Sequence, residues 1–246
     1  QHLLSSKNKK EVSEAIRISR IKKYKADVVD FTDEFKTKTG TMRLRPVQNE
    51  ALQVSRETGA GVFLIGCGHG KTLISFLLAG AVRAKKPLLI LPASLIPKTR
   101  YEANEYRKHF IFDLPTIISY EKISRSKELL NDIQADLIIC DEAHYIKDLS
   151  STRTKRIGTY LAHNLQCKFV VMSGTLFNKS LSDFAHLSDW CLQENTPLPR
   201  STREVEKLDS LLRGDAHHFT YKEYAPLLAF GETTRQALYN RFKSCA

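Results

Sequence analysis

The sequence predicts an α/β domain built on a mainly parallel, doubly wound sheet. Two observations lead to this prediction. Short apolar runs without polar alternation recur between residues 60 and 192, and longer segments of helical character separate them. Such runs are typical of strands that are buried on both faces of a parallel sheet. In sheets of this type ligands bind at the carboxyl ends of the strands, so we expect the functional residues there.

The elements follow one another in a regular order. Five strands are predicted, at 61–66, 87–92, 115–119, 136–142 and 168–173. The helices between them are predicted at 71–86, 94–110, 120–132 and 151–164. A leading helix at 42–57 is entered at Pro46, a residue favoured in the first turn. After residue 192 the alternation stops and two further helices are predicted, at 203–214 and 233–245.

These patterns divide the chain into three regions. We expect a basic extension at 1–40, the α/β domain at 41–194 and a mostly helical extension at 195–246. The second region carries all the predicted strands, so it is the region in which a ligand site is expected.

Composition places the chain among ordinary globular proteins. Apolar residues make up 42% and charged residues 26%, and no apolar run approaches the length of about 18 residues that a membrane span needs. The five cysteines are scattered and odd in number, and none forms a CxxC pair. This argues against a disulfide framework and against a zinc site. We therefore expect an intracellular, reducing location, in the cytoplasm, nucleoid or nucleus.

The net charge of +11 indicates a nucleic-acid partner, because neutralised phosphates release condensed counterions. The excess is concentrated near the start, where residues 7–25 hold eight basic and two acidic side chains. A solvated basic arm explains this segment equally well, and both readings stay open.

The run "VFLIGCGHGKT" at 62–72 predicts a phosphate-binding loop between a strand and a helix. Glycines let the backbone N–H groups converge at a helix N-terminus, which favours anions. Lys71 can reach the β and γ phosphates, and the Thr72 hydroxyl can coordinate Mg²⁺. The strict pattern fails, because Ile65 stands where it requires the first glycine. The alternative is a glycine-rich turn with an incidental lysine.

Two other strand ends carry polar residues. Asp141 and Glu142 directly follow an apolar run, about 70 residues after the lysine of the loop. Asp141 can hold Mg²⁺ and Glu142 can activate the attacking water. Ser173-Gly174-Thr175 end the next strand and can relay the state of the nucleotide site. The alternative for the acidic pair is two surface acids at the start of a loop, and the alternative for the second motif is an ordinary turn. The combination of the three motifs makes both alternatives less favoured.

In this order and spacing, the motifs resemble those of the first motor lobe of superfamily-two helicases and translocases, and within them of the Swi/Snf-like group. "LRPVQ" at 44–48 resembles the adenine motif, "GCGHGKT" motif I, and "DEAHYIKD" motif II. "LLILPASLIPKTRYEANEY" resembles motif Ia, "TIISYEKI" motif Ib and "MSGTLFN" motif III. The likeness covers about residues 42–192, and Leu176 stands where the family usually has proline.

The resemblance implies a RecA-like, P-loop fold that binds ATP with Mg²⁺ and hydrolyses it. Catalysis would involve Glu142, Lys71 and Asp141. The nucleotide contacts implied are Gln48 to adenine and, in the loop, Gly66, Cys67, Gly68, His69, Gly70, Lys71 and Thr72. Thr72 and Asp141 would hold the metal ion. The residues that would couple the nucleotide site to the nucleic-acid track are His144, Ser173, Gly174 and Thr175. Nucleic acid would meet Ser94, Lys98, Arg100, Ser119 and Tyr120. Tyr120 has a core aromatic as its alternative.

The function implied is that of a monomeric, ATP-dependent translocase or helicase on double-stranded DNA. An RNA helicase of the same superfamily, a non-translocating P-loop enzyme and a docking module remain open. Motors of this type close two lobes around ATP, and no second alternation occurs before Ala246. We therefore expect the second lobe to be absent from this chain, and the chain alone to bind ATP weakly and hydrolyse it slowly.

Overall fold

The computed structural model describes residues 27–174 and 180–213, which form two compact units. Some of the predicted features lie outside these residues. They are the basic segment at 7–25, Thr175 and Leu176 of the third motif, Cys245, and the helix expected at 233–245. The boundaries expected at residues 40 and 194 stay predictions.

A five-stranded parallel sheet forms the centre of the larger unit, as the sequence predicts. Its strands are β1 Gly61–Phe63, β2 Pro87–Leu91, β3 Thr116–Ser119, β4 Leu137–Asp141 and β5 Lys168–Met172. They lie in the order β1-β5-β4-β2-β3, and every pair is parallel. The middle strands are almost entirely apolar and buried, which explains why their sequences show no alternation.

Helices connect the strands. In the larger unit they are α1 Thr32–Phe35, α2 Pro46–Thr58, α3 Lys71–Val82, α4 Ile96–Tyr106, α5 Tyr120–Arg125, α6 Leu129–Ile133 and α7 Thr152–His163. The chain moves one way across the sheet from β1 to β3 and back through β4 to β5. Because crossovers between parallel strands are right-handed, this reversal puts the two groups of connections on opposite faces. The doubly wound α/β fold is confirmed.

Strand β1 is shorter than predicted. The apolar run in the sequence extends to Ile65, but the strand ends at Phe63. Leu64 is 42% exposed, whereas Ile65 is buried again outside the ladder. An apolar run therefore continues past the point where pairing with β5 ends. The loop that follows the strand therefore begins two residues earlier than the apolar run suggests.

The smaller described unit, 180–213, is helical. It contains α8 Ala185–Leu192 and α9 Thr202–Arg213. Asp209 of α9 accepts hydrogen bonds from the Ser180 hydroxyl at 2.7 Å and from the Leu181 N–H at 2.9 Å. Its carboxylate thus joins the start of the unit to α9. Among the residues that the structure describes, no helix is long and apolar enough to span a membrane.

Candidate functional site

The loop between β1 and α3 has the backbone of an anion-binding turn. Gly68 and Gly70 lie in the left-handed region, with φ of 80° and 79°. Side chains other than glycine adopt that region at a cost. Helix α3 begins at Lys71, and the N–H of Leu73 donates to the Gly70 carbonyl at 3.1 Å. The loop therefore delivers the chain into a helix N-terminus, as a phosphate site requires.

Two side chains of the "LRPVQ" run hold this loop. The Arg45 guanidinium donates to the Gly68 carbonyl at 2.7 Å, and the Gln48 amide donates to the Gly70 carbonyl at 3.2 Å. Gln48 Oε1 also accepts the Arg45 backbone N–H at 2.8 Å, which closes the first turn of α2. Both polar atoms of Gln48 are thus engaged, and the residue is buried. In this structure it positions the loop, and its contact with adenine stays a prediction.

Gly70→Ala should destabilise the protein more than Gly68→Ala. Both positions have the same left-handed backbone, which costs roughly 1–2 kcal/mol for an L-residue. A Cβ at Gly70 would lie 2.3 Å from Gln48 Nε2, whereas one at Gly68 would meet no atom within 4 Å. Gly70→Ala therefore also displaces Gln48. Chemical unfolding of the two variants measures the difference, and equal losses would show that the Gln48 contact contributes nothing.

Lys71 and Glu142 meet at the carboxyl ends of β1 and β4. Lys71 is 8% exposed, and its Nζ lies 3.1 Å from the Ile65 carbonyl and 3.5 Å from Glu142 Oε1. The ammonium group has three donors, and the loop carbonyl takes one of them. A cation is thus held at the mouth of the glycine loop, beside a carboxylate from another strand end.

Glu142 has a backbone conformation that most residues avoid. Its φ and ψ are both 52°, in the left-handed region, and it precedes the short helix Ala143–Ile146. Strain of this kind costs roughly 1–3 kcal/mol and persists where surrounding contacts enforce it. Its N–H donates to Asp141 Oδ1 at 2.9 Å, one of the contacts that fix the turn.

Asp141 is an ionisable group in a poorly solvated position. Burial, with a smaller contribution from the charge of Glu142, raises the pKa of Asp141 to about 6, and Lys71 opposes the shift. At neutral pH the carboxyl group is therefore still mainly ionised, at a cost that a bound cation would relieve. Oxygen donors such as this carboxylate and the Thr72 hydroxyl are the ligands that Mg²⁺ prefers. The residues present fit a magnesium ion.

The residues predicted to couple the site to nucleic acid lie near these groups, where the structure describes them. His144 Nδ1 is 3.4 Å from Glu142 Oε2 without making a hydrogen bond among the described residues. The Ser173 N–H donates to the Phe63 carbonyl at 3.1 Å, which extends the pairing of β5 with β1. A Cβ on Gly174 would lie 3.5 Å from the Ile65 carbonyl. The third motif therefore starts against the glycine loop between β1 and α3.

The nucleic-acid candidates separate into exposed and buried residues. Ser94, Lys98 and Arg100 are exposed around the start of α4, and Lys98 Nζ lies 3.7 Å from Glu102 Oε1. Ser119 is buried, and its hydroxyl accepts the Lys122 N–H at the start of α5. Tyr120 is fully buried, which favours its core alternative, and its contact with nucleic acid stays a prediction. Tyr120 directly follows β3, and its ring lies in the interior of the domain.

Arg45 is a loop-holding residue that the sequence analysis missed. A signal for it exists in the sequence, since Arg45 directly precedes Pro46 at the start of α2, within the same motif as Gln48. Two other loop residues face outward. Cys67 is an exposed free thiol, and exposed His69 places Nδ1 3.1 Å from the Cys67 carbonyl. Their contacts with a nucleotide, like those of Gly66, stay predictions.

Similarity to known proteins agrees with this geometry. The human DNA repair and recombination protein RAD54B is 30% identical over 186 residues, covering 60% of this chain and 20% of that protein. The mouse protein of the same name is 28% identical over 186 residues. A Sulfolobus solfataricus SWI2/SNF2 ATPase core in complex with dsDNA matches with a TM-score of 0.55 at 17% identity, over 74% of this chain and 41% of that one. No family model matches the sequence.

These similarities support the predicted resemblance to the first motor lobe of Swi/Snf-like proteins. The solved structure shows that the lobe shares its fold with an ATPase core, and the curated relatives extend the likeness to sequence. The chain spans only about 20% of the length of these relatives. The comparisons therefore show a shared fold and a sequence similarity to part of these relatives.

Proposed function

We propose that this chain is the ATP-binding lobe of an ATP-dependent DNA translocase or helicase, in which hydrolysis drives movement along nucleic acid. One observation carries the proposal: Lys71 of the glycine loop and Glu142 after β4 meet at 3.5 Å. A phosphate-binding cation and a carboxylate able to activate water thus share one sheet edge. ATP hydrolysis needs both of these groups.

Each residue has a role in this proposal. The N–H groups of the glycine loop and Lys71 bind the phosphates, with Arg45 and Gln48 holding the loop in shape. Thr72 and Asp141 would hold Mg²⁺, which when bound neutralises charge on the phosphate oxygens. Glu142 accepts a proton from the attacking water. His144, Ser173, Gly174 and Thr175 would report the state of this site to the nucleic-acid track.

Duplex DNA is the proposed track. The related solved ATPase core is in complex with dsDNA, and the curated relatives are named for DNA repair and recombination. The net charge of +11 supports a polyanionic partner. Ser94, Lys98 and Arg100 are exposed at one helix start, where they can contact phosphates. We further propose that a second lobe completes the site, in a monomeric intracellular protein.

The test is the ATPase rate of the full-length protein with and without nucleic acid. We expect duplex DNA to raise kcat for ATP, and to do so more strongly than single-stranded DNA or structured RNA of equal length. The effect should weaken with rising salt, because phosphate contacts release counterions. Stimulation by RNA alone would favour the RNA helicase reading. A rate that no nucleic acid changes would contradict the proposal.

A further inference from the structure

Tyr120 connects two strand ends that are not neighbours in the sheet. It is the first residue of α5, directly after β3. Its hydroxyl donates to the Asp141 carbonyl, at the end of β4, over 2.8 Å. Strand β2 lies between β3 and β4, so the tyrosine spans the position of a whole strand.

The peptide that this hydrogen bond reaches is the one that orients Glu142. The Asp141 carbonyl and the Glu142 N–H belong to the same peptide unit. Tyr120 holds the carbonyl, and Asp141 Oδ1 accepts the N–H at 2.9 Å. Both ends of the unit are thus fixed immediately before the left-handed turn at Glu142. Loss of either contact frees a peptide whose rotation would redirect the Glu142 side chain.

The tyrosine ring makes a second contact with the same segment. It stacks on Tyr145, with ring centroids 5.4 Å apart and planes 7° from parallel. Tyr145 belongs to the short helix that follows Glu142, and its carbonyl accepts Arg153 Nε at 2.6 Å. The segment after Glu142 is therefore held between Tyr120 on one side and α7 on the other.

Burial makes the hydrogen bond consequential. Tyr120 is fully buried, and its desolvation raises the pKa of the phenol, so the hydroxyl keeps its proton and donates it. The hydrogen bond is partly buried, and a buried polar group that loses its partner carries a desolvation cost. The position of β3 and the orientation of the 141–142 peptide are thus linked through one hydrogen bond from a buried side chain.

We propose that Tyr120 is a positioning residue through which nucleic-acid contact at the end of β3 stimulates hydrolysis at Glu142. The inference rests on the proposed function. Ser119, the neighbouring nucleic-acid candidate, caps the helix that Tyr120 begins. A shift of this strand end on nucleic-acid binding therefore moves the phenol and, with it, the peptide before Glu142.

The chain offers a matched control at the other end of β4. The Tyr160 hydroxyl also donates to a backbone carbonyl over 2.8 Å, that of Ala135 just before the strand, and Tyr160 is buried. Tyr120→Phe and Tyr160→Phe therefore each remove one hydrogen bond from a tyrosine hydroxyl to a backbone carbonyl, at opposite ends of β4. Only the hydrogen bond of Tyr120 lies beside the proposed catalytic groups.

The experiment compares kcat for ATP with and without duplex DNA in the full-length protein. We expect Tyr120→Phe to reduce the stimulation factor about tenfold and Tyr160→Phe to leave it unchanged, with melting temperatures lowered to a similar degree. Tyr145→Leu, which removes the stacking and keeps the hydrogen bond, should reduce the factor by a smaller amount. It also serves as the test if Tyr120→Phe does not fold.

An unchanged stimulation factor in Tyr120→Phe and Tyr145→Leu would overturn the inference, as would an equal loss in Tyr160→Phe. Either result leaves the proposed function intact, provided that the wild-type protein is stimulated. A wild-type protein without stimulation would instead refute the proposed function.

Discussion

Glu142→Gln should lower kcat for ATP by about 100-fold or more, since a positioned general base contributes roughly 10²–10⁴-fold to such a step. The substitution keeps the size of the side chain and removes the group that accepts the proton of water. ATP binding should persist or tighten, because a negative charge beside the phosphates is removed while Lys71 remains. Steady-state ATPase assays and equilibrium nucleotide binding separate the two effects.

Glu102→Gln is the matched control for Glu142→Gln. Glu102 pairs with Lys98, and its charge also raises the pKa of Asp141, so the control removes a carboxylate that acts on the same site. If charge alone governs turnover, both variants should change kcat in the same sense. We expect Glu102→Gln to keep most of the activity. Retention of full kcat by Glu142→Gln would remove this residue from the mechanism.

Lys71→Ala should weaken ATP binding by about 100-fold in the full-length protein, because a charge-assisted hydrogen bond to phosphate contributes roughly 1.5–3 kcal/mol. The variant should still fold, since α3 is otherwise held by its apolar residues. It also leaves Glu142 without its cation at the loop mouth. That carboxylate would then repel the incoming phosphates, which adds to the loss. Isothermal titration with a non-hydrolysable nucleotide measures the change.

Lys168→Ala provides the comparison for Lys71→Ala. Lys168 is a partly buried lysine in strand β5, and like Lys71 it donates from Nζ to a backbone carbonyl, that of Val82. It stands at the first residue of β5, at the end of the sheet opposite to the site. Its loss should reduce stability without affecting nucleotide affinity. Unchanged ATP affinity in Lys71→Ala would show that the glycine loop is not the phosphate site.

The strands were predictable because a strand that is buried on both faces has an uninterrupted apolar sequence. Runs such as 88–91 and 137–140 are apolar without interruption, and the structure buries every residue in them. The end of β1 was not predictable in this way. Leu64 continues the apolar run, yet it faces solvent where the chain leaves the ladder. Composition alone does not reveal where pairing stops.

The candidate site was partly predictable for a related reason. Parallel strands bring their carboxyl ends together, so residues far apart in sequence, such as Lys71 and Glu142, can be placed side by side from the strand pattern alone. The left-handed turn at Glu142 carries no local signature, since it depends on contacts from Asp141 and Tyr120. The burial of Tyr120 was likewise open, because a tyrosine at a strand end suits a surface or a core equally well.

The short strand β1 has a consequence for local opening of the lobe. Within the sheet that the structure describes, β1 is an edge strand of three residues paired with β5, whereas β4 is flanked on both sides. Segments with few ladder contacts open at lower free energy than central strands. The glycine loop thus follows a short edge strand of the described sheet. We therefore expect the start of this loop to open at lower free energy than the central strand that carries Asp141.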